Sequence, residues 1–538
     1  MSAFRPVDFV TGLPGRQFAR RMAVLPLLLG LYACASDASR SPEDAAAKLD
    51  RDMLVTGLGD IESIYITKQD IGALTLSGMQ QLSSLDPDLT VEGGKNELKL
   101  LQKNSLIEAE TLDDPNAKQW GKAAAKLLKE ARAKSAKVSA AGSEKIYEAI
   151  FTGIVGKLDG FSRYSGMEAA REDKASRDGF GGIGVRISVE DGEVRVTAVM
   201  HYTPAERLGL KRDDVIMKID GKSVEGLTQQ QVVNELRGEV DSRVVLTLLR
   251  DGKDEPFDVS IKRAHVVPET VSYRREGNIA YFRIFSFNSE TANSLKREIN
   301  DAKDEIGKKI KGYVLDLRNN PGGYVPQSVA TANLFLDEGR IVSIHGRHPD
   351  SHQYFEASDG DITGGKPMAV LIDGNSASAA EIVSAALQDN GRAVLIGTNS
   401  YGKGTVQNIK PLPNQGEIKL TWARFHAPSG YTLHHLGVLP SICTAGQHNS
   451  EKILEELGLG ELPKVPTVKR NAAKPDDTKV LDELRKTCPA RKNEDPVDLE
   501  LALKLLQQPS LYNAAIKLAD PADAQVDDAA EALLPFVP

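Results

Sequence analysis

The stretch Leu371-Ile-Asp-Gly-Asn-Ser-Ala-Ser-Ala-Ala-Glu-Ile-Val383 runs from an apolar segment through a cluster of small residues into an amphipathic segment. This pattern predicts a buried strand, a tight turn and a helix. Ser376 or Ser378 would then lie at a helix N-terminus, where unpaired N–H groups and the helix dipole stabilise an oxyanion beside a nucleophile. Both serines are equally compatible with ordinary N-caps, so the residues alone choose neither a serine nor a role.

A second segment, Gly397-Thr-Asn-Ser-Tyr-Gly-Lys-Gly404, places a glycine-flanked lysine in a loop after another apolar strand. A lysine held in a tight, partly apolar place loses hydration, which lowers its pKa and lets the neutral amine act as a base. The glycine spacing also resembles a phosphate-binding loop, but Gly404 stands where that loop needs Ser or Thr. A plain exposed loop lysine is the third interpretation of Lys403.

A third segment, Val314-Leu-Asp-Leu-Arg-Asn-Asn-Pro-Gly-Gly323, leads a buried strand into a rigid turn. Its glycines can present backbone N–H groups inward, although a purely structural turn explains them equally well. From Ile279 to Gly397 strand-like and helix-like runs alternate, which predicts an α/β layer architecture. Active sites of open sheets assemble at the ends of such strands, so the three segments are expected to meet.

The combination of these segments resembles the carboxy-terminal processing, or tail-specific, protease family over residues 164–440. The resemblance assigns the nucleophile to Ser378, three residues before Glu381 in the Ser-Ala-Ser-Ala-x-Glu motif. It assigns the general base to Lys403, which lies 25 residues further along, and the residue that orients this lysine to Gln407. It therefore implies a serine endopeptidase with a Ser/Lys dyad and an acyl-enzyme intermediate.

The same resemblance implies two oxyanion donors. One is the backbone N–H of Ala379, and the other comes from the Asn-Pro-Gly-Gly turn, at Gly323 with Gly322 as the alternative. The sequence departs from the commonest family pattern at Ala380 and Asn375, neither of which carries a catalytic role in the family.

The β-rich segment that begins near Gly179 resembles the PDZ domain of this family. Phe180-Gly-Gly-Ile-Gly-Val185 corresponds to the carboxylate-binding loop, so Gly182, Ile183, Gly184 and Val185 are expected to receive apolar protein C-termini. Arg237 corresponds to an arginine that couples this domain to the active site in some members, although an exposed arginine after a helix is the ordinary case.

Length and composition are consistent with several domains. At 538 residues, 41% hydrophobic and 26% charged, with a net charge of −8, the chain is a typical globular protein and nothing indicates a nucleic-acid partner. The resemblance implies an α/β, crotonase-like or ClpP-like protease core with an inserted α+β PDZ domain and helical terminal regions. The expected boundaries are a signal peptide at 1–34, a helical region at 41–160, the PDZ domain at 168–265, the protease core at 266–445, and a linker with a helical tail at 446–538.

The N-terminus has the order of a secretory signal peptide. Arg16, Arg20 and Arg21 precede the apolar run from Met22 to Ala33, which is too short to span a bilayer. Leu-Tyr-Ala-Cys34 resembles a lipobox, whereas Ala-Cys-Ala resembles a signal peptidase site. We therefore expect a bacterial periplasmic or envelope protein without a transmembrane span, either anchored through a lipid on Cys34 or free.

The remaining expectations concern cysteines, cofactors and partners. Cys443 and Cys488 form an even pair in an exported protein, which is compatible with a disulfide or with two separate thiols. We expect no metal and no cofactor, and protein or peptide substrates. The resemblance implies assembly through the terminal helices, either as a homo-oligomer or with an adaptor. The alternatives are a non-enzymatic PDZ scaffold of the envelope, an acyl-CoA-type enzyme, and a Ser-His-Asp hydrolase using one of six histidines: His201, His345, His348, His426, His434 and His435.

Overall fold

The computed structural model describes residues 42–113, 115–358 and 360–519. The expected signal peptide and Cys34 lie outside these residues. Within the described ranges, no helix combines the length and the apolarity that a membrane crossing requires.

The N-terminal region packs helices against a small antiparallel sheet of order β1-β2-β3. Its elements are α1 (Pro42–Ile64), α2 (Ile71–Gln80), α3 (Leu82–Leu85), β1 (Leu89–Gly94), β2 (Glu97–Gln102), β3 (Ser105–Thr111), α4 (Ala117–Lys134), α5 (Ala136–Ala140) and α6 (Ser143–Val155). The region expected to be helical at 41–160 has its helices but also contains this sheet, which the sequence did not predict. Leu98 and Leu100 are buried at alternate positions of β2, a period that the surrounding Lys and Glu residues hide.

The next segment leads into the PDZ unit, whose main sheet has the order β11-β10-β8-β7-β6, with β9 paired to β8. The elements are β4 (Arg163–Ser165), α7 (Met167–Asp178), β5 (Phe180–Gly182), β6 (Val185–Glu190), β7 (Glu193–Val199), α8 (Pro204–Arg207), β8 (Val215–Ile219), β9 (Lys222–Ser223), α9 (Gln229–Leu236), β10 (Arg243–Leu249), β11 (Phe257–Lys262) and β12 (Ala264–Val266). Strand β5 pairs with β12 as a separate two-stranded ribbon, and these two strands are the chain's entry to and exit from the unit.

The core expected at residues 266–445 contains two sheets. Its elements are β13 (Val271–Glu276), β14 (Ile279–Ile284), α10 (Thr291–Ile306), β15 (Gly312–Asp316), α11 (Val325–Asn333), β16 (Arg340–Gly346), β17 (Gln353–Glu356), β18 (Met368–Ile372), α12 (Ala379–Asp389), β19 (Val394–Gly397), β20 (Thr405–Pro411), β21 (Glu417–His426) and β22 (Ile442–Cys443). The first sheet, β13-β14-β15-β18-β19-β22, is parallel from β14 onward, which is the α/β arrangement expected from the sequence. The second sheet, β17-β16-β21-β20, is antiparallel, and β4 pairs with β21.

The C-terminal region packs against the first sheet and buries Leu501 and Leu505 there. Its helices are α13 (Ser450–Leu459), α14 (Thr467–Ala472), α15 (Thr478–Lys486), α16 (Pro496–Leu505) and α17 (Pro509–Ile516). The sequence predicted a linker before the helical tail in 446–538, but α13 and α14 already lie in the first part of this range. Arg470 is fully buried, forms an ion pair with Asp389 at 3.0 Å and stacks on Tyr431, so this segment is fastened to the core.

Candidate active site

Ser378 lies at the N-terminus of α12, after strand β18 and the turn that follows it. Its φ of 56° is rare for a residue with a side chain, and such strained backbone persists only where the surroundings enforce it. The serine is 7% exposed and borders a cleft of about 1000 Å³. The conformation therefore presents the hydroxyl to the cleft at the positive end of a helix.

Ser376, two residues earlier, has a different environment. Its side chain is fully buried, and its Oγ donates to Leu317 O at 2.9 Å and accepts from the N–H of Asp373 at 2.9 Å. These bonds join the end of β18 to the end of β15. The structure thus separates the two serines that the local pattern alone left equivalent: Ser376 holds the turn, and Ser378 faces the cleft.

Lys403 lies in the loop between β19 and β20 and lines the same cleft. Burial lowers the pKa of its ammonium group, and the positive charge of Arg163 lowers it further, while Glu381 and Asp159 oppose the shift. Its Nζ lies 5.4 Å from the centroid of the Phe161 ring. This lysine is accordingly more easily deprotonated than a solvated one, as a general base requires.

The buried carboxylate of Glu381 joins the serine segment to the lysine segment. It accepts hydrogen bonds from the backbone N–H of Ser378 at 2.7 Å and of Lys403 at 2.9 Å. It also accepts from Gly402 N–H and from the Ser400 hydroxyl. Burial raises the pKa of this fully enclosed carboxyl, and these hydrogen bonds act in the opposite direction. From the sequence, Glu381 was only part of the motif that marks Ser378, although the Ser-x-x-Glu spacing of a capping box predicts contact with the serine backbone.

The Asn-Pro-Gly-Gly turn packs directly against the serine. An added Cβ on Gly322 would lie 2.7 Å from Ser378 Cβ and 2.9 Å from Ala379 N. The N–H of Gly322 donates to Asn320 Oδ1 at 2.8 Å, so this donor is already engaged. Gly323 adjoins Phe287 in an isolated bridge, and both glycines line the cleft. Of the two glycines, Gly323 is therefore better suited to receive an oxyanion.

Gln407 also lines the cleft, from strand β20. Its amide nitrogen donates to the hydroxyls of Thr405 at 3.0 Å and Thr421 at 3.2 Å. The structure gives no hydrogen bond between the described side chains of Gln407 and Lys403. Gln407 is thus placed beside the site, while the predicted orienting contact is not among its bonds.

The C-terminal segment around α15 forms hydrogen bonds with all three loops of the site: the serine turn, the lysine loop and the Asn-Pro-Gly-Gly turn. Arg485 donates to Leu436 O at 2.7 Å and to Ser400 O at 3.2 Å. Gly374 N–H donates to Arg491 O at 2.7 Å, and Asn319 Nδ2 donates to Glu494 at 2.7 Å. A disulfide between Cys443 and Cys488 fastens this segment to the end of the parallel sheet.

The cleft has an apolar wall and a charged wall. Apolar side chains come mostly from the antiparallel sheet: Ile344, Phe355, Val406, Trp422 and Phe425. Arg163, Arg177, Glu417 and Lys419 contribute charge on the side of β4 and α7. No histidine of the described ranges lines the cleft, and burial lowers the pKa of His434 to about 4. Among the described residues no three His, Cys, Asp or Glu side chains are grouped as metal ligands would be.

The unit expected to be a PDZ domain presents a second candidate surface. Strand β6 is the edge of its sheet, and helix α9 lies beside it with Val232 and Leu236 buried. Ile183 is buried, and Gly184, with φ of 86°, is packed so closely against Thr203 that a Cβ would lie 2.2 Å away. Gly182 belongs to the ribbon strand β5, and Val185 begins β6. This geometry suits an extended peptide that adds to β6 with its end at the loop.

Arg237 follows α9 and lies outside the lining of the cleft. Its guanidinium forms an ion pair with Glu172 on α7 at 2.7 Å and lies 4.3 Å from the centroid of the Phe180 ring. The arginine is thus engaged at the boundary between the PDZ unit and α7, and it is not an ordinary exposed residue.

Comparison with known proteins identifies two families, one in the part of the chain that forms the cleft and one in the part that contains β6 and α9. Residues 278–444 match Peptidase family S41, and residues 181–261 match a PDZ domain. A carboxy-terminal-processing protease of Bartonella bacilliformis is 40% identical over 313 residues, which cover 58% of this chain and 72% of that protein. The chain belongs to the carboxy-terminal processing proteases. It is accordingly a serine-type peptidase with a PDZ domain.

Other carboxy-terminal processing proteases are also similar to this chain. The enzyme CtpA of Bacillus subtilis is 36% identical over 304 residues, 56% of this chain and 64% of that protein. Among solved structures, the photosystem II D1 C-terminal processing protease is 25% identical, with a TM-score of 0.34 and coverage of 58% of this chain and 88% of that one.

Proposed function

We propose that this protease cleaves peptide bonds through a Ser378/Lys403 dyad. The observation that carries the proposal is the arrangement around Glu381. One buried carboxylate binds the backbone of both residues, and both face one cleft in which the lysine has a lowered pKa.

The reaction follows from these positions. The neutral amine of Lys403 takes the proton from Ser378 Oγ as the oxygen attacks the substrate carbonyl carbon. The N–H groups of Gly323 and Ala379 stabilise the tetrahedral oxyanion. The Lys403 ammonium then gives its proton to the departing amine, which leaves an acyl-enzyme. Water, deprotonated by the same lysine, hydrolyses the ester and restores both residues.

The test compares Ser378→Ala and Lys403→Ala with Ser376→Ala on an unfolded protein substrate. The first two variants are expected to lose at least about 10⁴-fold in kcat, because each removes a part of one catalytic unit. Ser376→Ala retains the nucleophile and should lose mainly stability. Wild-type turnover no faster than that of Ser378→Ala and Lys403→Ala would refute the dyad.

The PDZ unit is proposed to select substrates by an apolar C-terminus. The edge strand β6, helix α9 and the loop at Ile183 and Gly184 support this role. Peptides with a free apolar C-terminus should bind Ser378→Ala as well as wild type, and the same peptides with an amidated terminus should bind weakly. Equal binding of both peptides would remove carboxylate recognition from the proposal.

The proposed location is the bacterial cell envelope, with export directed by residues 1–34 and a lipid on Cys34. The order of the arginines and the apolar run supports export. Labelling cells with a radioactive fatty acid should mark the wild type and not Cys34→Ser; a fully soluble, unlabelled wild-type protein would exclude the anchor. We also propose that the protein forms a homo-oligomer or binds an adaptor through its terminal helices. Only the helical content of these regions supports this proposal.

A further inference from the structure

Tyr324 follows the oxyanion glycine directly and precedes helix α11. Its N–H donates to Phe287 O at 2.9 Å, beside the bridge between Phe287 and Gly323. Its hydroxyl donates to the carboxylate of Asp178 and accepts from Arg177 Nε at 3.1 Å. The residue next to the glycine is therefore fixed at its backbone by the core and at its side chain by the end of α7.

The C-terminal end of α7 is itself firmly held. Arg177 forms an ion pair with Glu417 of β21 at 3.1 Å, with the arginine side chain 16% and the glutamate 11% exposed. Ser289 N–H donates to Arg177 O at 2.9 Å, and His265 Nε2 lies 2.9 Å from Asp178 O. The end of α7, which binds the Tyr324 hydroxyl, thus contacts the core. Through His265 it also contacts β12, the strand by which the chain leaves the PDZ unit.

The first half of α7 contacts the helix that borders the peptide groove. Glu172 forms the ion pair with Arg237 at 2.7 Å and accepts from Gln230 at 3.3 Å. Arg171 donates to Asn234 at 3.3 Å. One helix of twelve residues therefore contacts α9 with one half and holds Tyr324 with its end.

We propose that Tyr324 is a positioning residue for the oxyanion turn, and that the pair Arg177 and Asp178 sets its position from α7. Gly323 has no side chain of its own to fix its N–H, so its neighbour supplies the fixed point. An oxyanion donor contributes only when it is held at the place where charge develops. The inference rests on the proposed function of Ser378 and Gly323.

The first test is Tyr324→Phe, which keeps the ring and removes the hydroxyl. We expect kcat to fall about tenfold, because small displacements of catalytic geometry have effects of this order, and KM to change less than about twofold. A peptide boronic acid, whose boron becomes tetrahedral when Ser378 Oγ adds, should bind the variant more weakly by the same factor as kcat falls. Tyr273→Phe is the matched control, because the Tyr273 hydroxyl also donates to a carboxylate, that of Glu305, on an exposed surface.

A second pair of variants keeps the tyrosine. Asp178→Ala removes the acceptor of its hydroxyl and should lower kcat as Tyr324→Phe does, whereas Asp178→Asn retains a carbonyl oxygen and should restore most of the rate. If Tyr324→Phe fails to fold, this pair decides alone.

Unchanged kcat and boronate affinity in Tyr324→Phe and Asp178→Ala, in an enzyme whose wild type cleaves and whose Ser378→Ala does not, overturn the inference and leave the dyad intact. A wild type that neither cleaves nor binds the boronate instead removes the proposed function. Loss of kcat with no loss of boronate affinity also overturns the inference, because the turn would then be undisturbed.

Discussion

Two glycine turns among the described residues are proposed to offer backbone N–H groups to oxygen anions, and they are built differently. The Gly322-Gly323 turn is enclosed by Ser378, by Phe287 and by the anchored Tyr324. The loop at Gly184 is equally crowded on its inner side by Thr203, but the strand that follows it is a free sheet edge. In both turns a neighbouring residue lies too close to the glycine for a side chain to fit. Only the Gly322-Gly323 turn is also surrounded by further residues of the core. Fixed geometry serves a reaction, whereas an open edge serves binding of varied chains.

The largest effect is expected from removal of the disulfide that links the C-terminal segment around α15 to the parallel sheet. Cys443 and Cys488 are 45 residues apart, and the chain-entropy relation gives about 4 kcal/mol for closing such a loop. Cys443→Ser with Cys488→Ser should lower the free energy of unfolding by about this amount, measured in urea, while peptide affinity at the PDZ unit stays the same. Reductant should destabilise the wild type and leave the double variant unchanged. A parallel loss of peptide affinity would show that the two turns are not independently supported.

The enclosed turn should not tolerate a methyl group. Gly322→Ala places a Cβ 2.7 Å from Ser378 Cβ, so the serine or the turn must move, and kcat should fall about 100-fold. Gly307→Ala is the control, because Gly307 also has positive φ, 64°, but has open space around it. Gly322→Ala and Gly307→Ala both place a side chain at positive φ, but only Gly322→Ala also creates a steric clash. Only Gly322→Ala should therefore lose activity in a peptide-cleavage assay. Equal losses would assign the effect to strain alone.

The open loop should be sensitive in binding rather than in chemistry. Gly184→Ala forces a Cβ to within 2.2 Å of Thr203, which displaces the loop and should weaken binding of a free C-terminal peptide about tenfold. Gly192→Ala, at φ 82° with no neighbour within 4 Å, is the control. Fluorescence anisotropy measures the affinity, and hydrolysis of a short peptide that does not reach the PDZ unit should stay at the wild-type rate. A fall in that rate would contradict the division of roles.

The smallest effect concerns the charge beside the base. Lys403 must be neutral to accept a proton, so the rate should rise with pH through its pKa, which burial and then Arg163 hold below the ordinary value. Arg163→Gln removes one of the lowering causes and should move the acidic limb of kcat/KM to higher pH. The shift should be less than about one pH unit, because the Arg163 side chain is 60% exposed and its field is screened. Arg51→Gln on α1 is the control, and a limb that moves to lower pH would contradict the assignment of Lys403.

The sequence was sufficient for the strand, turn and helix around Ser378 and for the parallel sheet, because apolar runs and small-residue turns are local signals. The local pattern could not separate Ser376 from Ser378, and only the family resemblance chose Ser378, since their difference lies in a hydrogen bond from Ser376 to Leu317 after another strand. The shared role of Glu381 and the anchoring of Tyr324 depend on contacts between distant segments in the same way. The β1-β2-β3 sheet and the packing of Arg470 were missed because a charged composition concealed them.

The pairing of β5 with β12 has a consequence for engineering. Gly182 and Ala264 are direct partners, so the chain leaves and re-enters the core at neighbouring points. A short turn between these strands would close the backbone without opening the parallel sheet. Under the role proposed for the PDZ unit, replacing it with another peptide-binding domain whose ends are adjacent should direct cleavage to other protein chains.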